Sequence, residues 1–353
     1  MSDHVMEFVL FFLTCFAISF ILTGLTRRLA LFLRVHDVPN SLRKIHTTPR
    51  PTLGGIALFL AFAVGLVLLA FAGLTGEIAG PRLAAIIIGG AVLIIGGALD
   101  DKYDLPAYVQ IIFPLLAAII AVGSGIHISY ITNPLGGAIV LDQYKLGTFP
   151  IFGSAVVLLW ILGMTYTTKF LDGMDGLVSG IAGIAGLVIF GLSLAPAVHQ
   201  TTTAFVSLVF AAVCFGFLPF NFSPAKIFLG EGGSTFTGFM IGVLAVISGG
   251  KIATALLVLG IPILDAVWVI VRRLVARASP FVGDKQHLHF RLLDIGLSQR
   301  QAVLFLYFLA AVFGGVAVFL QSLGKLIALG VLFSVMVVVA IVVVVLYRRN
   351  QRP

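Results

Sequence analysis

Charge is scarce in this sequence. Only 10% of its 353 residues are Asp, Glu, Lys or Arg, and only 14 are acidic. A soluble domain of this length clothes itself in charged side chains, so the composition excludes one. Cysteine is nearly absent too. Cys15 and Cys214 are the only two; both fall in apolar runs, where they read as packing residues and say nothing of a redox compartment. There is no strong internal repeat, no low-complexity tail and no Walker A loop, so no ATP signal.

What fills the chain is apolar: 60% of it is hydrophobic and its mean hydropathy is +1.15. About eleven uninterrupted apolar runs can be read, at 5–26, 52–74, 83–99, 107–124, 151–168, 176–196, 202–220, 233–249, 252–271, 301–322 and 325–347. Runs of this length are membrane spans, and in lipid the backbone must bond to itself, so they are helices. The expectation is one all-α, polytopic membrane domain over residues 1–353. The first run is too long for a cleaved leader and lacks a basic start and a small-residue cleavage site. Of the 22 lysines and arginines, only Arg82, Lys145, Lys251 and Lys325 fall on one face of this arrangement. The other face is therefore cytoplasmic, with the N-terminus outside and the C-terminus inside. The net charge of +8 is a positive-inside signature that also suits anionic substrates and lipid headgroups. The basic residues are scattered over short loops, which argues against nucleic acid.

Most of the acids also fall on that cytoplasmic face. Five loops carry them: 35–55, 99–106, 169–176, 221–234 and 284–296. On the outer side, 126–148 reads as a small structural hairpin.

Asp100 and Asp101 are adjacent carboxylates at a helix end, where they repel each other and call for a positive partner; the plainer reading is a solvated helix terminus. In KFLDGMDG, Asp172 and Asp175 share a face if helical, or sit in a tight turn made by Gly173 and Gly176. Lys169 is spaced to pair with Asp172. In NFSPAKIFLGEGGS, glycines flank Glu231 ahead of a helix N-terminus, a natural anion seat, with Lys226 able to reach a phosphate. In HLHFR, His287 and His289 are weak evidence for a metal, and with Arg291 suit phosphate better. Asp265, deep in the ninth run, should be functional or paired, with no partner evident. Together these are the parts phosphoryl transfer uses: carboxylates for a divalent cation, cations for phosphates, and turns for close approach.

These loops resemble, in order, those of the polyprenyl-phosphate N-acetylhexosamine-1-phosphate transferases. Asp37-Val-Pro-Asn40 through Arg43-Lys44-Ile-His46 is similar to the family's first cytoplasmic loop, Asp100-Asp101 to its aspartate pair, and Asp172-Gly-Met-Asp175-Gly-Leu to its DGxDGL motif. Asn221, Pro224-Ala-Lys226 and Gly230 through Ser234 resemble its glycine-rich loop, and His287-Leu-His289-Phe-Arg291 its HxHHR motif, in the form of the branch using UDP-N-acetylglucosamine. The resemblance implies transfer of an N-acetylhexosamine-1-phosphate, with N-acetylglucosamine as the sugar, from a UDP-sugar to a polyprenyl phosphate. UMP is released and a cell-envelope glycan begun, at the plasma (inner) membrane. It implies Asp100 or Asp101 as base, and Glu231 with Asp172 holding Mg²⁺, or Mn²⁺. It implies substrate contacts from Arg43, Lys44, His46, Lys169, Asp175, Asn221, Lys226, His287, His289 and Arg291. The implied partners are the two substrates and the membrane, with no nucleic acid; a homodimer is one arrangement of the chain.

Three positions depart from that pattern. Lys169 stands where the family usually has Asn, Glu231 where it usually has Asp, and Phe290 where HxHHR has a histidine. The first two are positions the resemblance assigns to the metal, and a protonated lysine cannot ligate one. A transporter, or a family member without activity, are the alternatives. Transporters place polar groups near the midplane, whereas here the acids crowd one face and Asp265 alone lies deep.

Overall fold

The computed structural model describes residues 4–37, 48–78, 80–133, 137–146, 149–196, 198–249, 252–277 and 287–350. Its helices are α1 (Val5–Phe32), α2 (Gly54–Phe71), α3 (Pro81–Tyr103), α4 (Ala107–Gln110), α5 (Ile112–Gly123), α6 (Ile151–Leu171) and α7 (Leu177–Ser193). They continue with α8 (Thr201–Asn221), α9 (Gly230–Ile247), α10 (Ile252–Val258), α11 (Gly260–Val275), α12 (Leu288–Asp294), α13 (Gln299–Phe319) and α14 (Ser322–Asn350).

Eight of these helices are long and apolar enough to cross a membrane: α1, α2, α3, α6, α8, α9, α13 and α14. The stretch Ala107–Gly123 and α7 are shorter apolar helices, and α10 with α11 make a ninth candidate bent by 81°. The chain is therefore a mostly helical, multi-pass membrane protein, and each apolar run expected from the sequence has a helical counterpart.

The ninth run is not the straight helix the sequence suggests. Pro262 has no N–H for the carbonyl four residues back, so the ladder breaks at Leu259. A side chain at Gly260 would strike Leu332 of α14, so the bend also brings α14 close. The hairpin expected within 126–148 is present: β3 (Tyr130–Thr132) pairs antiparallel with β4 (Ala138–Val140), and β5 (Lys145–Leu146) with β6 (Phe149–Pro150). At the opposite end, β1 (His36–Asp37) pairs with β2 (Arg50–Pro51). That places the stalks of the first polar loop together; Arg43, Lys44 and His46 lie outside the described residues.

α8 and α9 form the middle of the bundle, with Phe62, Phe205, Phe210, Phe217, Phe236 and Phe239 fully buried around them. In lipid, helices associate through close packing and not through water exclusion. The start of α9 shows this most sharply. A Cβ at Gly97 of α3 would fall on the Gly232 backbone, and one at Gly55 of α2 on the Gly233 backbone. The GEGGS segment is thus wedged between two helices, backbone to backbone. Gly97→Ala should destabilise the protein by about 3 kcal/mol, the upper range for overpacking. A melting temperature in detergent matching the parent's would show that α9 is not wedged there.

Candidate active site

The glycine-rich loop is not the open anion seat its sequence suggests. Gly232 and Gly233 are already inside α9, and their lack of side chains serves packing. The N–H of Glu231, the second residue of the helix, is also taken, because it donates to Asp101 Oδ1 at 3.2 Å. The other oxygen, Asp101 Oδ2, lies against Gly230, whose φ of +75° suits glycine. Asp101, at the end of α3, is the cap of α9.

Asp100, one residue earlier, faces elsewhere. Its Oδ1 accepts from Leu105 N at 3.0 Å and Gln110 Nε2 at 2.9 Å. Gln110 then accepts from Lys169 Nζ through Oε1 at 2.7 Å. Lys169 Nζ also lies 2.6 Å from Glu231 Oε1. A chain of contacts thus runs Asp100–Gln110–Lys169–Glu231. The packing of α6 on α9 sets it. Thr168 Oγ1 donates to Ser234 O at 2.8 Å, and Gly238 has no side chain to keep the helices apart. The next residue along α6, Lys169, is thereby delivered to Glu231. Its pairing with Asp172, expected from spacing, does not form: α6 ends at Leu171, and Asp172 turns away from the last helical turn.

The DGMDG segment is a turn, not a helix. Gly176, at φ +80°, caps α7, and its carbonyl accepts from Tyr307 Oη. Asp175 Oδ2 accepts from Ala225 N at 2.9 Å. Asn221 is buried; its Oδ1 accepts from Ser179 Oγ at 2.8 Å and its Nδ2 donates to Ile227 O at 3.1 Å. The polar atoms read from sequence as substrate contacts therefore hold the 221–229 loop in shape. Lys226, by contrast, is exposed, with its ammonium over the Phe220 ring.

The Asp172 carboxylate has no hydrogen-bond partner among the described residues, and the side chain is exposed. Burial first, then the negative charge of Glu231, Asp101 and Asp175, pushes its carboxyl up to about 8. Solvent access at the exposed side chain works against that shift.

Asp265 now has its partner. Its Oδ2 lies 2.8 Å from His287 Nδ1, and its Oδ1 accepts from Leu288 N at 2.8 Å. One carboxylate in the broken helix thus holds both a histidine and the start of α12. His287 stacks on His289 at 5.5 Å and on Phe170 at 6.4 Å, tying α12 to the end of α6. Arg291 lies in the last turn of α12 and is half-buried.

His289 is buried, and its Nε2, with no partner among the described residues, faces Gly173 so closely that a Cβ there would collide with it. Burial foremost, with His287 adding to it and Asp265 opposing, pushes this imidazole down to about 3. The ring is therefore neutral around pH 7, and any hydrogen bond it donates is that of a neutral imidazole. The unfolded ring titrates near 6.5, so between these values the unfolded chain binds a proton the folded one lacks. This stabilisation is complete above pH 6.5 and is lost as pH falls. Going from pH 7.5 to 5.5 should cost about 1 kcal/mol through this ring. His289→Gln should lose correspondingly less melting temperature on that step; equal losses would show a ring free to charge.

Two residues that matter here escaped the sequence reading. Gln110 falls within the apolar run 107–124, and a lone polar side chain at its start is the signal it carries. Tyr166, one turn before Lys169, lies with its ring 5.9 Å from the ammonium and carried no signal of its own.

The site also bears on the divalent ion that the resemblance implies. Among the described residues, no three His, Cys, Asp or Glu side chains are grouped to hold a metal. Glu231, the expected ligand, faces an ammonium instead. A cation held 2.6 Å from that oxygen stands where a magnesium ion would and repels it. The residues at 169 and 231 do not fit a resident ion.

Fold and site together place clustered acidic and basic side chains at one end of a multi-pass helical bundle. The family model for glycosyl transferase family 4 matches residues 83–249, which span α3 to the end of α9. A Bacillus subtilis protein named as a probable undecaprenyl-phosphate N-acetylglucosaminyl 1-phosphate transferase is 30% identical over 100% of this chain and 96% of its own length. A Mycobacterium tuberculosis decaprenyl-phosphate N-acetylglucosaminephosphotransferase is 35% identical over 85% of this chain and 79% of its own. An undecaprenyl-phosphate alpha-N-acetylglucosaminyl 1-phosphate transferase of Salmonella typhi is 28% identical over 87% and 82%. The chain belongs to the polyprenyl-phosphate N-acetylhexosamine-1-phosphate transferases, a family of glycosyl phosphotransferases.

Proposed function

We propose that this protein transfers N-acetylglucosamine-1-phosphate from a UDP-sugar to a polyprenyl phosphate, releasing UMP and starting a cell-envelope glycan. The reaction takes place on the cytoplasmic face of the plasma membrane. One observation carries the reading. Asp100, Asp101, Lys169, Asp172 and Glu231 come from three separate helix ends and meet at one end of a bundle. That bundle matches, along its whole length, a relative named for this reaction.

The attacking group is an oxygen of the lipid phosphate and the electrophile is the β-phosphorus of the UDP-sugar. A phosphorus–oxygen bond forms between them. The bond from the β-phosphorus to the bridging oxygen breaks, and its electron pair leaves with UMP. Such a transition state is stabilised mostly by positioning and charge neutralisation. Any proton on the lipid phosphate must leave. Asp100 and Asp101 already accept protein hydrogen bonds, whereas Asp172 accepts none among the described residues and is exposed, so Asp172 is the acceptor. Lys226, exposed at the same end, and Arg291 meet phosphate oxygens.

The test is direct. Purified protein, a polyprenyl phosphate and a panel of radiolabelled UDP-sugars should give labelled lipid and UMP in equal amounts, with UDP-N-acetylglucosamine preferred. No labelled lipid from any UDP-sugar would end this reading.

A further inference from the structure

The two departures from the family pattern are one feature. Lys169 and Glu231 lie 62 positions apart in sequence, on different helices, and they meet. We propose that in this chain the Lys169 ammonium is the resident cation of the site. It faces the donor's diphosphate directly, and Glu231 serves to hold it and not to ligate a divalent ion. The proposal rests on the reading above for the identity of the donor, but not for the cation.

Three observations carry it. First, the ammonium is fixed. Glu231 Oε1 lies 2.6 Å away and Gln110 Oε1 2.7 Å. Gln110 is itself braced by Asp100 at 2.9 Å and by the Leu105 carbonyl at 2.7 Å. Lysine is flexible, and two direct partners, one of them braced in turn by Asp100 and the Leu105 carbonyl, remove that freedom, so the charge is preorganised as a metal's would be. Second, the ammonium has capacity left. It carries three N–H donors; Glu231 and Gln110 take two, and the third is available to a phosphate oxygen. Third, it is reachable, since the Lys169 and Glu231 side chains are 20% and 19% exposed, enough for contact with a bound anion and too little for free hydration.

The Glu at 231 follows from the same geometry. The start of α9 is pinned by its wedge between Gly97 and Gly55, and by the Asp101 cap, so its backbone cannot shift toward α6. The longer arm of Glu spans the gap to a lysine, where Asp would fall short by one methylene. Lys169 and Glu231 are therefore a matched pair.

The proposal makes opposite predictions for two ligands. Full-length protein in detergent is titrated with Mn²⁺, read by electron paramagnetic resonance, and separately with UDP in the presence of chelator, read by calorimetry. The parent should bind Mn²⁺ weakly and still bind UDP in chelator. Lys169→Gln should bind Mn²⁺ about tenfold more tightly, because Glu231 is released. The same variant should bind UDP in chelator about tenfold more weakly, because a charge-assisted hydrogen bond is gone. Added Mg²⁺ should restore UDP binding in the variant and do little in the parent. Lys169→Asn with Glu231→Asp is the second variant, and should behave as Lys169→Gln does. Mn²⁺ binding as tight in the parent as in either variant overturns the proposal, as does parent UDP binding that vanishes in chelator. Neither readout needs turnover. If no UDP-sugar is transferred, the functional reading fails while the Mn²⁺ titration still reports on Lys169.

Discussion

Asp172→Asn lowers turnover by about 10²–10⁴-fold, the usual cost of losing a proton acceptor, and leaves the folded bundle intact. The substitution keeps the size of the side chain, and Asp172 holds no other described residue in place, so the fold has nothing to lose. Asp100→Asn and Asp101→Asn are the controls. In each, the amide oxygen can still accept the hydrogen bonds seen here, from Leu105 and Gln110 in one case and from Glu231 in the other. They change charge without uncapping α9. The pH profile gives an independent readout. An acceptor must be ionised, and burial of the carboxyl, countered by its solvent access, with the charges of Glu231, Asp101 and Asp175, holds Asp172 above the ordinary carboxylate range. Turnover should therefore rise with pH through the neutral range and fall away on the acid side, and Asp172→Asn should lose that limb. If Asp172→Asn keeps more than about a tenth of the rate while either control falls to background, the acceptor belongs to the Asp100–Asp101 pair instead.

The helices, the gathering of polar loops at one end and the family were legible in the sequence because each is written as a local pattern. Apolar runs are long and unbroken, and the motifs recur in order. What was not legible depends on three-dimensional packing. Spacing favoured Lys169 with Asp172, three residues on, since neighbours at that interval meet on a helix. The helix ends at Leu171, so the interval does not apply, and the partner comes from α9. The glycines of GEGGS looked like an anion seat because glycine before a helix often makes one. Here they allow backbone contact with α2 and α3, a fact carried by Gly55 and Gly97 far away in sequence. Asp175 and Asn221 look like any polar motif residues. Only the positions of Ala225, Ser179 and Ile227 show that they shape a loop. The broken ninth helix was written locally, in Gly260 and Pro262, but an apolar run of full length outweighed it.

That break also yields the second large effect. A broken membrane helix carrying an acid can mark a transport site, but here Asp265 is fully engaged by His287 and Leu288. It acts as an anchor for the HLHFR segment. Asp265→Ala removes both acceptors at once. Leu288 N is then left without its acceptor, and His287 loses the bond that fixes its ring and tautomer. Removing one partner of a buried pair of this kind costs about 3–5 kcal/mol. α12 spans only Leu288–Asp294, too short to persist without its anchor, so Arg291 and the stacked histidines lose their position. Turnover should fall at least about 100-fold, with most of the helical bundle retained by circular dichroism. Asp265→Asn separates anchoring from charge. Its amide oxygen can still accept from Leu288 N, while its NH₂ can donate to His287 Nδ1 and so invert the tautomer. It should keep the stability of the parent to within about 1 kcal/mol yet lose much of the rate. A variant as unstable as Asp265→Ala would make the carboxylate charge itself the anchor, and parental turnover in both variants would remove Asp265 from the positioning of this segment.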